Sequence, residues 1–240
     1  MRDILDLHTH TVASGHAKNT IYEMAKAAAG KGLALLGITD HGPCSEGVCK
    51  GDYFRNLKMS PRKAAGIHLL LGVELNIIDY EGNVDLEEEV LREMDLCVAS
   101  FHDGVMPHGT ARDHTRAMIK AMSSPYVNIL GHPDDGRFPL LYEEVIRAAG
   151  ENRVLIEVNN HSLMPDSFRT HAWENGHRIL ELCEKYRVPI LLSSDAHEAC
   201  EVGNHTYCME LIEKEKFPEQ LIVNSSVSIA LSYLNAGRKR

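Results

Sequence analysis

Ile4-Leu5-Asp6-Leu7-His8-Thr9-His10 opens the chain as an apolar run that closes on two histidines. An extended backbone alternates its side chains with period two, so Asp6, His8 and His10 are expected on one side of a strand. Two imidazoles at a strand end can grip one metal ion, and the Asp6 carboxylate, one step deeper, is placed to orient them from behind. A single H-x-H match is a common accident. This one gains meaning because the same event recurs: apolar runs starting near 4, 33, 67, 96, 126, 154 and 188 end in His, Glu, Asn-Asn-His or Asp-x-His.

Helical patterns separate those runs. Thr20 is a plausible N-cap for a helix to Lys31, with Gly32 as its stop signal. Further helices are expected over 86–92, 110–122, 140–149, 170–186, 205–214 and 226–235, and 44–60 reads as a long irregular loop. Strands alternating with helices indicate parallel strands joined by helical crossovers. A doubly wound open sheet and a barrel both satisfy that alternation. An open sheet gathers a site only at its switch-point strands, whereas a barrel brings every strand end to one mouth. Because metal-type residues follow nearly every run, the expectation is a distorted (βα)7 barrel, TIM-barrel-like, with residues 1–240 forming one α/β domain.

Composition limits the function. The chain has 240 residues, 44% of them hydrophobic, enough for a large core. A net charge of −9 argues against a general nucleic-acid or membrane surface. Fourteen histidines are spread along the whole chain, so they are neither a tag nor a low-complexity tract. The six cysteines form no C-x-x-C pair: Cys97 lies in an apolar run, and Cys44 and Cys49 are a weak match to zinc-finger spacing. With no signal-peptide pattern and no apolar run approaching 18 residues, a cytoplasmic protein with reduced thiols is expected. The basic end at 237–240 reads as a solvated tail.

The strand-end residues are His8, His10, His16, His41, Glu74, His102, His132, Asp195 and His197. Catalytic zinc takes three protein ligands and leaves a position for water, so nine ligands suit three divalent ions, with Glu74 able to bridge two. Nitrogen and oxygen without thiolate fit zinc, manganese or iron. Three such ions outweigh two carboxylates, which makes a positive pocket in an acidic protein and selects an anion such as a phosphate ester. A metal-bound hydroxide would then attack phosphorus in line. No G-x-S-x-G elbow and no Walker-type glycine loop is present. His108 and His161 fall on loops at the same end and are candidates to protonate the leaving oxygen. Arg62, Arg112 and Arg137 are candidate phosphate clamps. His68 is expected to be structural or exposed, and His114, His171, His177 and His205 to lie on helix surfaces.

The ordered strings His8-Thr-His10-Thr11, Ile38-Thr-Asp-His41-Gly-Pro43, Gly72-Val-Glu74, Phe101-His102, Gly131-His132-Pro133 and Ser194-Asp-Ala-His197 resemble the PHP (polymerase and histidinol phosphatase) family over about 200 residues. His16 after Ala-Ser-Gly and Glu157-Val-Asn-Asn160 bring the likeness nearest to its YcdX-type branch, from which Asp134-Asp135-Gly136-Arg137 and His161 depart. The resemblance implies a trinuclear, usually zinc-containing, centre and phosphoesterase activity. It also implies a partition: His8, His10, Glu74 and Asp195 on one ion, His16, His41 and His197 on a second, Glu74, His102 and His132 on a third. A small phosphomonoester is the expected substrate. Phosphodiester or 3′–5′ exonuclease activity is the alternative within enzymes, disfavoured by the acidic charge, and C–N hydrolysis lacks the strand-end lysine it would need. A metal-binding protein without turnover is the alternative outside enzymes.

Overall fold

The structure, a computed structural model, describes residues 2–235; the basic end at 237–240 lies outside the described residues. In chain order the elements are β1 (Leu5–Asp6), α1 (Ile21–Gly30), β2 (Leu35–Ile38), α2 (Gly51–Leu57), β3 (Lys63–Ala64), β4 (Ile67–Leu71), β5 (Val73–Asn76), α3 (Glu88–Leu91), β6 (Cys97–Ser100) and α4 (Ala111–Met122). There follow β7 (Ile129–Leu130), α5 (Tyr142–Asn152), β8 (Leu155–Asn159), α6 (Ala172–Tyr186), β9 (Ile190–Ser193), α7 (Thr206–Glu215) and α8 (Val227–Tyr233). Thr20 caps α1 and Thr110 caps α4, each in a reciprocal capping box, with Glu23 and Asp113 respectively.

Strands pair in parallel in the order β1-β2-β4 and β5-β6-β7-β8-β9, with the short β3 added antiparallel to β4. β4 and β5 are one run that changes partner at Gly72: β4 pairs with β2, and β5 pairs with β6. A Cβ on Gly72 would stand 2.2 Å from the Leu96 carbonyl oxygen, so only glycine lets the run pass that close to the next strand. Beyond β2, the Glu74 N–H donates to the Asp40 carbonyl at 3.0 Å and the Gly42 N–H to the Glu74 carbonyl at 2.7 Å, which joins the two sheets.

The other edges meet as well. The Asp195 N–H donates to the His8 carbonyl at 3.0 Å and the His10 N–H to the Ala196 carbonyl at 2.9 Å, linking first strand end to last. Lower down, β1 and β9 do not pair, and Asn224 fills the seam. Its side-chain oxygen accepts from the Leu192 N–H at 2.8 Å, and its amide donates to the Leu192 and Leu5 carbonyls at 2.9 and 3.2 Å. One buried amide thus stands in for a strand's ladder. The result is the distorted seven-stranded barrel expected from the seven runs.

Alternation along the strands sorts the interior into two layers. Leu5, Leu7, Leu35, Leu70, Leu96, Val98, Ile129, Leu155 and Leu191 form an inner apolar cluster, with Ala230 of α8 and Leu234 packed on it. Leu36, Ile38, Leu69, Leu71, Cys97, Ala99, Ile156 and Leu192, the intervening residues, pack with the helices in the larger core. The same parity, carried upward, sends Glu74, Asn76, Glu157 and Asn159 into the barrel above its apolar floor, each at most 1% exposed.

Three expectations change. Residues 51–57 of the expected long loop form α2, which buries Phe54 and Leu57. His114 is fully buried on α4, and His205, at the start of α7, is 4% exposed with its Nδ1 donating to Asp3 at 2.5 Å. Neither lies on the surface; His171 does, and His177 is half-buried against Glu215 at 2.6 Å. Asp6 does not back the two histidines. Leu5 and Leu7 face inward, so Asp6 faces the other way, accepting from Ser194 Oγ at 2.5 Å and the Gly203 N–H at 2.8 Å and lying 3.7 Å from His205. The regular strand ends at Asp6, and His8 and His10 turn inward because period two stops there.

Candidate metal centre

Glu74 is the centre of the barrel mouth, and its two oxygens divide the histidines between them. Oε1 lies 2.8 Å from His132 Nε2, 3.1 Å from His102 Nε2 and 3.5 Å from His8 Nε2. Oε2 lies 2.6 Å from His41 Nδ1 and 3.6 Å from His10 Nε2. Asp195 Oδ1 stands 3.1 Å from His10 Nε2 and 3.6 Å from His8 Nε2. His197 stacks on His10 with ring centres 4.2 Å apart, and His16 stacks on His197 and His41 at 4.7 and 5.1 Å. All nine strand-end residues therefore meet around one carboxylate. Two of them hold backbone conformations that non-glycine residues rarely adopt, Asp195 at φ +56° and His132 at φ +30°, a strain that costs on the order of 1–3 kcal/mol each and is commonest at functional sites.

Whether these residues suit a cation can be tested on their inner atoms. His8 Nε2, His10 Nε2, His41 Nδ1, His102 Nε2 and Glu74 Oε2 are all buried, and none makes a hydrogen bond. Orphaned buried polar atoms are costly, and five converging on one point need a common partner. Three compact ligand groups arise among them: His8, His10 and Glu74; His10, His41 and His197; His41, Glu74 and His102. The residues fit metal ions. Cys44, at the rim, and Cys49 are unpaired and belong to none of the three groups.

The outer nitrogens are fixed from behind. His8 Nδ1 donates to Glu157 Oε1 at 2.7 Å, His102 Nδ1 to Asn76 Oδ1 at 2.7 Å and His197 Nδ1 to the Asp195 carbonyl at 2.9 Å, and each of these bonds leaves Nε2 as the nitrogen that carries a free lone pair. His10 Nδ1 lies 3.1 Å from Ser14 Oγ. Charge balance acts the same way. Burial, with His197 and His41 nearby, pushes His10 well below the usual histidine range and His16 down to about 4, while burial and Arg169 bring His132 to about 4. These imidazoles are neutral, as ligands must be. Burial opposes the charge of Glu74, yet His102, His8 and His41 hold it far below the ordinary carboxylate range. His8 is the exception: burial works against its proton, but Glu157, Asp195 and Glu74 together raise it well above its usual value.

The mouth opens into a cavity of about 630 Å³. His161 lines it 6.3 Å from the His197 ring, with Nδ1 buried and unpartnered. His108 does not line it: its side chain is 63% exposed, pairs with Asp103 and stacks on Phe138. Of the three expected phosphate clamps, Arg137 is at the rim, held by Asp135 at 2.6 Å. Arg62 is turned away onto Asp95, and Arg112 borders a different concavity. Sequence reasoning missed Arg169, whose side chain is 5% exposed, donates to Asp195 Oδ2 at 3.0 Å and lines the cavity, with Nε unpartnered. It also passed over Glu157 as a partner of His8, although a charged residue inside the run Leu-Ile-Glu-Val-Asn is a readable signal.

Comparison with known proteins finds relatives named probable phosphatases. A probable phosphatase of Clostridium novyi is 40% identical over 239 residues, covering 100% of this chain and 97% of that protein. One from Caldicellulosiruptor bescii is 44% identical over 230 residues, covering 96% and 95%. In fold, the chain resembles the crystal structure of histidinol phosphate phosphatase from Lactococcus lactis, complexed with zinc, L-histidinol and phosphate. The TM-score is 0.64 at 17% identity, covering 90% of this chain and 95% of that one. The PHP-associated family matches residues 174–221, and the PHP domain matches residues 6–161 and with them eight of the strand-end and loop positions from His8 to His161 that line the mouth. The chain belongs to the PHP domain family.

Proposed function

We propose that this protein is a phosphoesterase that hydrolyses a small phosphomonoester at a centre of three divalent ions held by His8, His10, His16, His41, Glu74, His102, His132, Asp195 and His197. The observation that carries the reading is the set of orphaned, buried nitrogen and oxygen atoms aimed at one point beneath an open cavity. The relatives named probable phosphatases and the zinc-containing neighbour support it. Glu74, with histidines on both oxygens, would bridge ions; of the compact groups, His8/His10/Glu74 falls within the set His8/His10/Glu74/Asp195, whereas the other two have His10 where the partition puts His16 with His41 and His197, and His41 where it puts His132 with Glu74 and His102. Zinc is the first choice, and manganese and iron suit the same donors. Bound there, the ions would supply Lewis acidity and an activated water for attack at phosphorus.

The chain's own residues do the rest. Arg169, which lines the cavity and is fixed by Asp195, Asn159 Oδ1 and Ser162 Oγ, would place a positive charge beside the phosphoryl group. Arg137 at the rim supplies a second cation for the incoming ester. His161, with Nδ1 unpartnered beside His197, is placed to give a proton to the leaving alkoxide. The whole chain would act as one domain, because His8 and His10 from its start meet Asp195 and His197 from its last strand. No helix among the described residues is long and apolar enough to cross a membrane.

The test is hydrolysis of a generic aryl phosphate, abolished by a chelator and restored by added zinc or manganese. Inactivity on phosphomonoesters by fully loaded protein would overturn the reading, and activity confined to diesters would replace it with a phosphodiesterase.

A further inference from the structure

Behind the candidate ligands lies a carboxylate that touches none of their inner nitrogens. Asp40 is 1% exposed and collects the Thr11 N–H at 2.7 Å on Oδ1, the Thr11 hydroxyl, and the Tyr53 hydroxyl at 2.7 Å on Oδ2. Its remaining bond is to Ser14, whose Oγ lies 2.7 Å from Oδ1. Ser14 is fully buried, and the same Oγ faces two further groups: the His41 N–H at 3.1 Å and His10 Nδ1 at 3.1 Å.

Proton counting settles the direction of these bonds. A hydroxyl has one proton to give. The Asp40 oxygen is surrounded by donors and can only accept, so Ser14 spends its proton there. Toward His41 and His10, Ser14 Oγ can then act only as an acceptor. His10 must carry its proton on Nδ1, and its Nε2 presents a bare lone pair to Glu74 and Asp195. Were Asp40 absent, the Ser14 proton would be free to turn to His10 Nδ1, which would move the imidazole proton onto Nε2 and block the inner position.

We propose that Asp40 is a positioning residue of the centre: acting through Ser14, it holds His10 in the Nδ1–H tautomer and so keeps Nε2 open to an ion. Tyr53 ties the same carboxylate to α2, so the segment over 51–57 supports this arrangement from the rim side. The inference rests on the proposed metal site for its purpose but not for its readout.

The experiment is long-range nitrogen–proton correlation NMR on the full chain labelled with 15N-histidine, as purified and after chelation, with His10 identified by the signal lost in His10→Gln. Wild type is expected to show His10 protonated on Nδ1. Asp40→Asn should keep that state, because the Thr11 N–H holds the amide oxygen on the Ser14 side while the amide nitrogen turns to the Tyr53 hydroxyl. Asp40→Ala should shift His10 toward Nε2–H and weaken zinc binding about tenfold in competition with a chromophoric chelator. If Asp40→Ala does not fold, Ser14→Ala puts the same question, since it removes the acceptor itself. A His10 protonated on Nε2 in wild type, or a tautomer unchanged in Asp40→Ala or Ser14→Ala, overturns the proposal. Zinc uptake by wild type is read separately, so a chain that takes up no metal fails the metal reading and not this one.

Discussion

Glu157→Gln isolates one atom of the site. Glu157 is fully buried and accepts three bonds: His8 Nδ1–H at 2.7 Å on Oε1, and the His132 N–H at 2.6 Å and Asn159 Nδ2–H at 3.0 Å on Oε2. Glutamine has the same shape but a single acceptor oxygen. That oxygen goes to the side with two donors, one of them the His132 backbone N–H, which leaves the NH2 facing His8 Nδ1. To avoid two opposed donors, His8 must move its proton to Nε2, the nitrogen that faces Glu74 and Asp195. Loss of such a partner costs about 10–100-fold in metal affinity, equivalent to about 1.4–2.7 kcal/mol. Zinc competition against a chromophoric chelator reads this directly, with thermal melting of the chelated protein as the control for folding. Affinity within twofold of wild type in a well-folded Glu157→Gln protein would refute the reasoning that His8 is held from behind by Glu157.

Asn224→Ala removes the amide that bridges β1 and β9, leaving the Leu192 N–H and the Leu192 and Leu5 carbonyls without partners. At about 1–3 kcal/mol for each buried group left unsatisfied, and with water able to repair part of the gap, a loss of about 3–5 kcal/mol is expected in urea unfolding, and a loss under 1 kcal/mol would mean the seam is closed by something else. His205 gives a pH dependence: burial opposes its proton, but Asp3 and Asp6 outweigh burial and raise it to about 9 from 6.5. A raised folded-state value means that its contribution, roughly 3 kcal/mol, is complete below about pH 6.5 and lost as pH rises through 9, so His205→Asn should flatten that part of the stability profile. His161→Gln is expected to lower turnover of poor leaving groups more than of aryl phosphates, whereas His108→Gln, outside the cavity, should leave both rates near wild type.

Much of this architecture is legible in the sequence for one physical reason. A parallel strand buried on both faces must be apolar along its length, so a polar residue at its end marks the barrel rim. That rule finds the seven runs and the strand-end residues from His8 to His197. It fails where periodicity stops. Counting in twos places Asp6 with His8, but the strand ends at Asp6 and its side chain belongs to the opposite face. Glu157 was readable by the same parity, since Leu155, Glu157 and Asn159 alternate into the barrel, and a charge within an apolar strand asks for a buried partner. Arg169 was not readable. It sits in an aperiodic loop, and only tertiary packing carries it to Asp195. The burial of His205 depends on Asp3, 202 positions away, and leaves no local trace. The short α2 shows too little of a helical face, with only Phe54 and Leu57 buried, to stand out from the loop around it.

The central claim is that nine residues from both ends of the chain hold a trinuclear centre, and elemental analysis of protein purified without chelators tests it most directly. About three equivalents of divalent metal per chain, falling when Glu74→Ala removes the shared carboxylate, is the predicted result. Two or fewer equivalents, unchanged after incubation with zinc or manganese, would contradict it.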